Sequence, residues 1–458
     1  MGIASHYTAS SLQQYIKKMI DLKENLVSRH LVFNEKSSKN KWIDDLRHEA
    51  IELFDQKGFP RKKDEEWKYT NLAPLLKTDY KLFPESEEIS VGYQDVKQYF
   101  IHDIDSYNIV FVNGIYSSYL SNTTHEEADI CVLSSAMNRM MYQAVIENYY
   151  GKIADKNESM VSLNTAFFKD GAYIYIPDNV ILSKPVQLMF FSTAHESEVL
   201  YHPRNLIVLG NNAQAHIIER HQTLNAKSNL TNSVTEIHVG KNTELDYYKI
   251  QNDALEASLI DNTFIEQERD SRVAVQTFSF GGKLTRNNLN FKQKDENCNS
   301  ILNGVTVIAG KQHVDHHTLV EHTAPHCESH ELYKGIYDEQ AHGVFNGKVY
   351  VHSEAQKLNA FQQNNNVLLT NQAVIDTKPQ LEIFADDVKC SHGCTVGQLD
   401  DSALFYMQQR GIPKKEAEAL LLYAFAAEVL EHVQIPQIKQ RITKLIALKL
   451  GVNIDFDL

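Results

Sequence analysis

The sequence predicts a mainly β protein with helical ends: a parallel β-helix core between an N-terminal and a C-terminal helical segment. Three observations carry this. From about residue 105, short alternating and β-branched runs follow one another for over 250 residues, among them YNIVFV, NLIVLG, VTEIHVG, RVAVQTFSFGG and GVFNGKVYV. Breakers at Gly210, Gly240 and near Asp270 return about every 30 residues, as in a coil of short strands repeated along an axis. At both ends the alternation gives way to apolar residues at helical spacing. A β-sandwich is the rival architecture, but sandwiches of this length usually split.

Residues 1–104 form the N-terminal helical zone. LQQYIKKMIDLKENL and KWIDDLRHEAIELFDQKG set apolar residues among charges at helical spacing, and Gly58 with Pro60 closes the second helix. PRKKDEEWKYTNLAPLL follows. Trp67 and Tyr69 beside its charge run predict a packed corner, not a free tail.

Residues 105–402 form the β-helix core, and 403–458 return to helix. Gly411-Ile412-Pro413 introduces KKEAEALLLYAFAAEVLEHV, with Pro413 suited to a helix first turn. Leu420 to Ala427 is apolar all round, so this helix is buried in its own domain or covered by another chain. QIKQRITKLIALKL reads as a second, more amphipathic helix.

A formal charge of −14 over 458 residues argues against nucleic-acid binding, which takes clustered Lys and Arg. The opening MGIASHYTAS is polar, with no signal-peptide core. The longest apolar run, Leu420 to Leu430, is too short to span a bilayer. These features predict a cytoplasmic protein without membrane contact. Five thinly spread cysteines, an odd number, do not make a disulfide framework.

Two cysteines stand close together, in DDVKCSHGCTVG. On a strand, Cys390 and His392 face the same side, with Cα atoms roughly 6.6 Å apart at about 3.3 Å per residue. Both reach one metal or one small intermediate, but two ligands do not complete a site. Cys394 lies roughly 13 Å from Cys390 on the same rise, too far to share a mononuclear site unless Gly393 bends the chain. A buried structural cysteine beside a hydrogen-bonded histidine is the plain alternative.

HVDHHTLVEHTAPHCESH is rich in histidine, from His313 to His330, but its spacing fits no standard zinc pattern. Histidines on a hydrated edge explain it more simply. QQNNNVLL, residues 362–369, has the amide density of a stacked hydrogen-bonded ladder between β-helix turns. No phosphate loop, dinucleotide fingerprint or nucleophile elbow is present, so the chain lacks an obvious means of hydrolysing ATP.

FNGKVYV, AFQQNNNVLL, DTKPQLEIFADDVKCSHGCTVG and LFYMQQRGIPKKEAEALLLYAFAAEV together resemble the SufB/SufD family of iron–sulfur cluster assembly proteins, on its SufD side. GFPRKKDEEWKYTNL, AFFKDGAYIYIPDNVILSKPVQL and EHTAPHCESHELYKGIYDEQA extend the resemblance over most of the chain. The resemblance implies a right-handed parallel β-helix and a scaffold subunit without its own ATPase. It implies pairing with the paralogue SufB and docking of the ATPase SufC. Cys390 and His392 would then bind a transient iron–sulfur cluster, or its iron and sulfide precursors, shared with SufB across the interface. SufB's scaffold cysteine would fall near Ala373 and its acidic ligand near Cys390, which separates this chain from SufB. Docking of SufC on the C-terminal helices makes Tyr423 and Phe425 the expected anchors. A homodimer of the isolated chain and flavin binding by the complex stay open. A SufB-like paralogue, a plain zinc protein using CSHGC and a β-helix carbohydrate-active enzyme are the alternative readings.

Overall fold

A computed structural model describes residues 21–37, 41–82, 91–101, 103–123, 127–193, 198–225 and 227–452. The polar opening MGIASHYTAS and the N-terminal helical reading as far as Ile20 lie outside these residues.

From Val186 onward the strands alternate between two facing sheets, each strand parallel to its neighbours one turn away. The result is a parallel β-solenoid flanked by helices at both ends of the chain. Every second residue of a strand points inward. One inward column therefore runs the length of the ten-stranded sheet: Val186, Ile217, Tyr247, Val275, Leu302, Glu331, Gln362 and His392. It begins apolar and turns polar at Glu331.

One turn type repeats along the solenoid and explains its period. Asn179, Asn212, Asn242, Asp270, Asn297, His326 and Lys357 all have positive φ, between 52° and 64°. Asn and Asp tolerate this left-handed conformation better than other non-glycine residues. The Asn212 amide donates to Asn179 Oδ1 and the Asn242 amide to Asn212 Oδ1, both at 2.9 Å. Asn297 donates to Asp270 at 3.0 Å. An asparagine ladder thus lies at these turns. In QQNNNVLL the buried amides also bond between turns, Asn364 to the Tyr333 carbonyl and Asn366 to the Thr395 carbonyl at 3.3 Å each, and Asn366 donates to Asn364 within its own strand. Gly240 is needed for stacking, since a Cβ there would come within 2.7 Å of the Gly210 carbonyl.

Helices interrupt the β zone earlier than the sequence predicts, at Leu133–Met137, Met140–Tyr149 and Ser159–Phe167. The last of these is buried throughout. A helix this short with no polar face carries no periodic signal, and its apolar content reads equally well as strand.

Ion pairs pin the N-terminal part to the solenoid. The Glu236 carboxylate accepts the N–H groups of Gly151, Ile153 and Ala154 at 3.0–3.1 Å and the Arg204 guanidinium at 2.5 Å. Arg204 also donates to Thr165 at 2.9 Å, and both members of the pair are buried. Trp67 is buried under the Arg286 guanidinium, 4.1 Å from its ring centroid. Arg286 bonds Asp315 and the Glu66 carbonyl at 2.7 Å each. The charged stretch around Trp67 is thus a packed corner.

The C-terminal helices Asp401–Gln409, Lys414–Leu430 and Pro436–Lys449 cover the outer face of the ten-stranded sheet. Leu422, Ala426, Val429 and Leu430 pack there with Tyr248, Ile250, Phe278 and Val305. Among the described residues, no helix is long and apolar enough to cross a membrane.

Candidate functional site

Strand Val388–Gly397 is the last of its sheet and pairs on one side only, with Leu358–Leu368. Cys390 lies over Ala360, His392 over Gln362 and Cys394 over Asn364. All three lower partners are buried, so the upper residues share the inward face. Among the described residues, no further turn covers them. Cys390 is half-buried against a small apolar cluster that includes Leu358, Ala360 and Ala385, and burial pushes its thiol pKa up. His392 and Cys394 are exposed on the same face.

The strand runs unbroken through Gly393, whose missing side chain faces open space. Gly393 does not bend the chain, and Cys394 stays on the order of 13 Å from Cys390. Cys390 and His392 are therefore the neighbouring donors.

Below them, Gln362 Nε2 donates to Glu331, whose carboxyl is pushed up to about 7 by burial. Phe361, Val374, Ile383, Phe384 and Val396 expose apolar surface on the last turns. Ala373 is buried at the turn before strand Val374–Thr377 and contributes no donor.

The histidine-rich stretch lies on a hydrated edge only in part: His326 and His330 are exposed, His313 and His317 half-buried, and His316 and His322 buried. His316 is buried, with Nδ1 at 3.3 Å from the Asn287 amide and Nε2 at 2.9 Å from Thr306. His322 is buried beside Ser329. His317 faces Asp315 at 3.1 Å and Glu66 at 3.4 Å. Strand alternation sends these side chains to different places, so they form no common ligand set.

Among the described residues, Glu219, His221 and Asp261 bring three donor atoms within 4.8 Å of one another. Lys249 Nζ lies 2.5 Å from Asp261 and 3.7 Å from Glu219. Its ammonium already occupies the place a cation would take.

At the C-terminal helices, one expectation needs correction. Tyr423 is buried in the protein's own core, with its hydroxyl 3.3 Å from Thr443, so it is not a surface anchor. An inward stripe on an all-apolar helix cannot be told from an outward one by composition. Phe425 is half-buried, with Lys334 Nζ 4.6 Å from its ring centroid and donating to its carbonyl at 2.9 Å. The exposed aromatics are Phe405 and Tyr406 on helix Asp401–Gln409, at 62% and 59% exposure. LFYMQQ signals this pair: Leu404 turns inward and leaves the next two residues outside.

The family model for the SUF system FeS cluster assembly SufBD core domain matches residues 190–425, and that for the SufBD protein N-terminal region matches 14–188. This chain belongs to the SufBD family. It is 33% identical over 411 residues to an iron–sulfur cluster assembly SufBD family protein of Synechocystis, covering 88% of this chain and 90% of that one. It is 31% identical to the iron–sulfur cluster assembly protein SufD of Escherichia coli, covering 86% and 90%. SufD of Bacillus subtilis is 25% identical, covering 91% and 96%. As a SufBD protein it takes part in iron–sulfur cluster assembly. The SufBD core match includes the solenoid turns, the Cys390–His392 strand and most of helix Lys414–Leu430.

Proposed function

We propose that this SufBD protein is a scaffold subunit without its own ATPase activity. It binds a nascent iron–sulfur cluster, or its iron and sulfide precursors, through Cys390 and His392, working in the cytoplasm. A SufB-type partner completes the ligand set, and a SufC-type ATPase docks on the C-terminal helices.

The observation that supports this most is the end of the inward columns. Cys390 and His392 stand side by side where the solenoid presents its inward face to the outside. Thiolate suits iron with bridging sulfide, and imidazole is a weaker ligand. Two donors on one chain leave iron positions open for donors from another. The unpaired strand edge and the exposed Phe361, Phe384 and Val396 give a partner hydrogen bonds and apolar contact at the same place. Shared, mixed ligation also lets the cluster leave when the two subunits part. A second copy of the chain meets the same edge when no partner is present.

Anaerobic reconstitution with iron, sulfide, SufB and SufC tests the assignment. Cys390→Ser and His392→Ala should each cut cluster formation at least tenfold, and Cys394→Ala should cut it less than twofold. Normal assembly by both of the first two variants overturns the site. Phe405→Asp should abolish SufC capture while SufB pairing persists; retained capture moves the docking surface away from helix Asp401–Gln409.

A further inference from the structure

We propose that Cys298 and Cys327 form an oxidisable dithiol inside the solenoid, which a peroxide converts to a disulfide joining two successive turns. The two residues occupy equivalent places. Each follows a positive-φ turn residue, Asn297 or His326, and each precedes one of the register partners Asn299 and Glu328. Their Cα atoms are thus one rung apart, about 4.8 Å, and a disulfide needs about 4.4–6.8 Å. The equivalent place one turn earlier holds Ser271, whose hydroxyl lies 3.9 Å from Cys298 Sγ.

Both thiols converge on one acceptor. Cys298 Sγ lies 3.1 Å from the Asp295 carbonyl oxygen, and Cys327 Sγ lies 3.3 Å from the same atom. Both side chains are buried, and Cys298 has a second carbonyl, that of Glu268, at 3.2 Å. His322 stands beside Cys327; its Nε2 meets Ser329 at 3.0 Å, and its buried Nδ1 has no hydrogen-bond partner.

The pair is asymmetric. The Cys298 S–H and His322 both stabilise a thiolate on Cys327 and lower its pKa. Cys298 is pushed up, first by Cys327 and then by burial. With His322 beside it, Cys327 is the nucleophile and Cys298 the resolving thiol. The Cys327 thiolate attacks the nearer peroxide oxygen, the O–O bond breaks, and the departing oxygen leaves as water after taking a proton. Cys327 is then a sulfenic acid. Cys298 sulfur attacks it, the S–O bond breaks, and hydroxide leaves with the Cys298 proton as a second water. Two thiols lose two electrons, and the peroxide gains them.

No other pairing has this geometry. Cys390 and Cys394 lie on one extended strand, about 13 Å apart. Cys131 belongs to strand Asp129–Val132, far along the other sheet.

The test is mass mapping of the whole chain after hydrogen peroxide, with thiols alkylated under denaturing conditions. Alkylable thiols should fall from the five present to three, with a loss of two hydrogens and one cross-linked peptide joining residues 298 and 327. Dithiothreitol should restore all five. Cys298→Ala should leave Cys327 as a sulfenic acid that dimedone traps. Five free thiols after oxidation overturn the proposal, and so does a cross-link mapped elsewhere. If Cys298→Ala fails to fold, the wild-type map alone decides.

Discussion

At the N-terminal end of the solenoid, Arg204 and Glu236 are fully enclosed beneath the Gly151–Ala154 loop and helix Ser159–Phe167. At the other end, His392 and Cys394 stand in solvent on a strand with one neighbour. Both sets are polar groups on the same scaffold, yet only the first finds its charge partners within its own chain. Three N–H groups and a guanidinium converge on Glu236. Enclosure of that kind holds a fold together and leaves nothing to bind. The second set spends almost no folding free energy on its own placement, because its donors project from a strand whose backbone is already paired below. A solenoid separates the two tasks along its axis, since each turn touches only the turns beside it.

Three measurements sharpen this contrast. Glu236→Ala should have the largest effect. It leaves the buried Arg204 charge and three loop N–H groups without their acceptor, and should cost about 3–5 kcal/mol in denaturant unfolding. A loss under about 1 kcal/mol would show that water reaches this pair.

Glu331→Gln comes next and tests where the column turns polar. The folded carboxyl titrates near 7 against an ordinary value of 4.5, with burial as the cause. The folded state therefore holds a proton that the unfolded chain releases, and this group makes stability fall as pH rises from about 4.5 to about 7. The neutral variant should be more stable than the parent at pH 8, by on the order of 3 kcal/mol at most, and no more stable at pH 4.5. Paired urea titrations at the two pH values check this; an equal offset at both would place the effect in packing, not in charge.

The smallest effect belongs to the bare end. His392→Ala should shift unfolding by less than about 0.5 kcal/mol, as exposed substitutions do, and Cys390→Ser, half-buried beside Leu358 and Ala360, by about 1 kcal/mol. A loss of 2 kcal/mol or more from either would make it a structural residue.

The solenoid was legible because its turns carry local chemistry. Gly210 and Gly240 stand two residues before the positive-φ residues Asn212 and Asn242, and Asp270 is itself one of that series; a corner needing positive φ restricts its residues whatever the tertiary context. CSHGC was legible as a strand with a one-sided donor pair for the same reason, since alternation is local. The long-range pins were not. Arg204 and Glu236 are far from the Gly151 loop in sequence, and nothing in either segment names the other. Tyr423 was misread because an apolar helix gives no direction. The stacked thiols were hidden by distance along the chain, yet laying the sequence out one turn per line puts Cys327 directly over Cys298.

The strand Val388–Gly397 bears a row of unpaired donors and acceptors along its free side. Bare strand edges recruit whichever strand arrives first. The fate of a newly made chain is thus a race governed by abundance. On the proposed function, copies meet one another or clump when the companion is scarce, and each is captured at once when it is plentiful. On the same reading, cells that make this protein gain from matching its supply to that of its companion, because an excess of it is an excess of open edges.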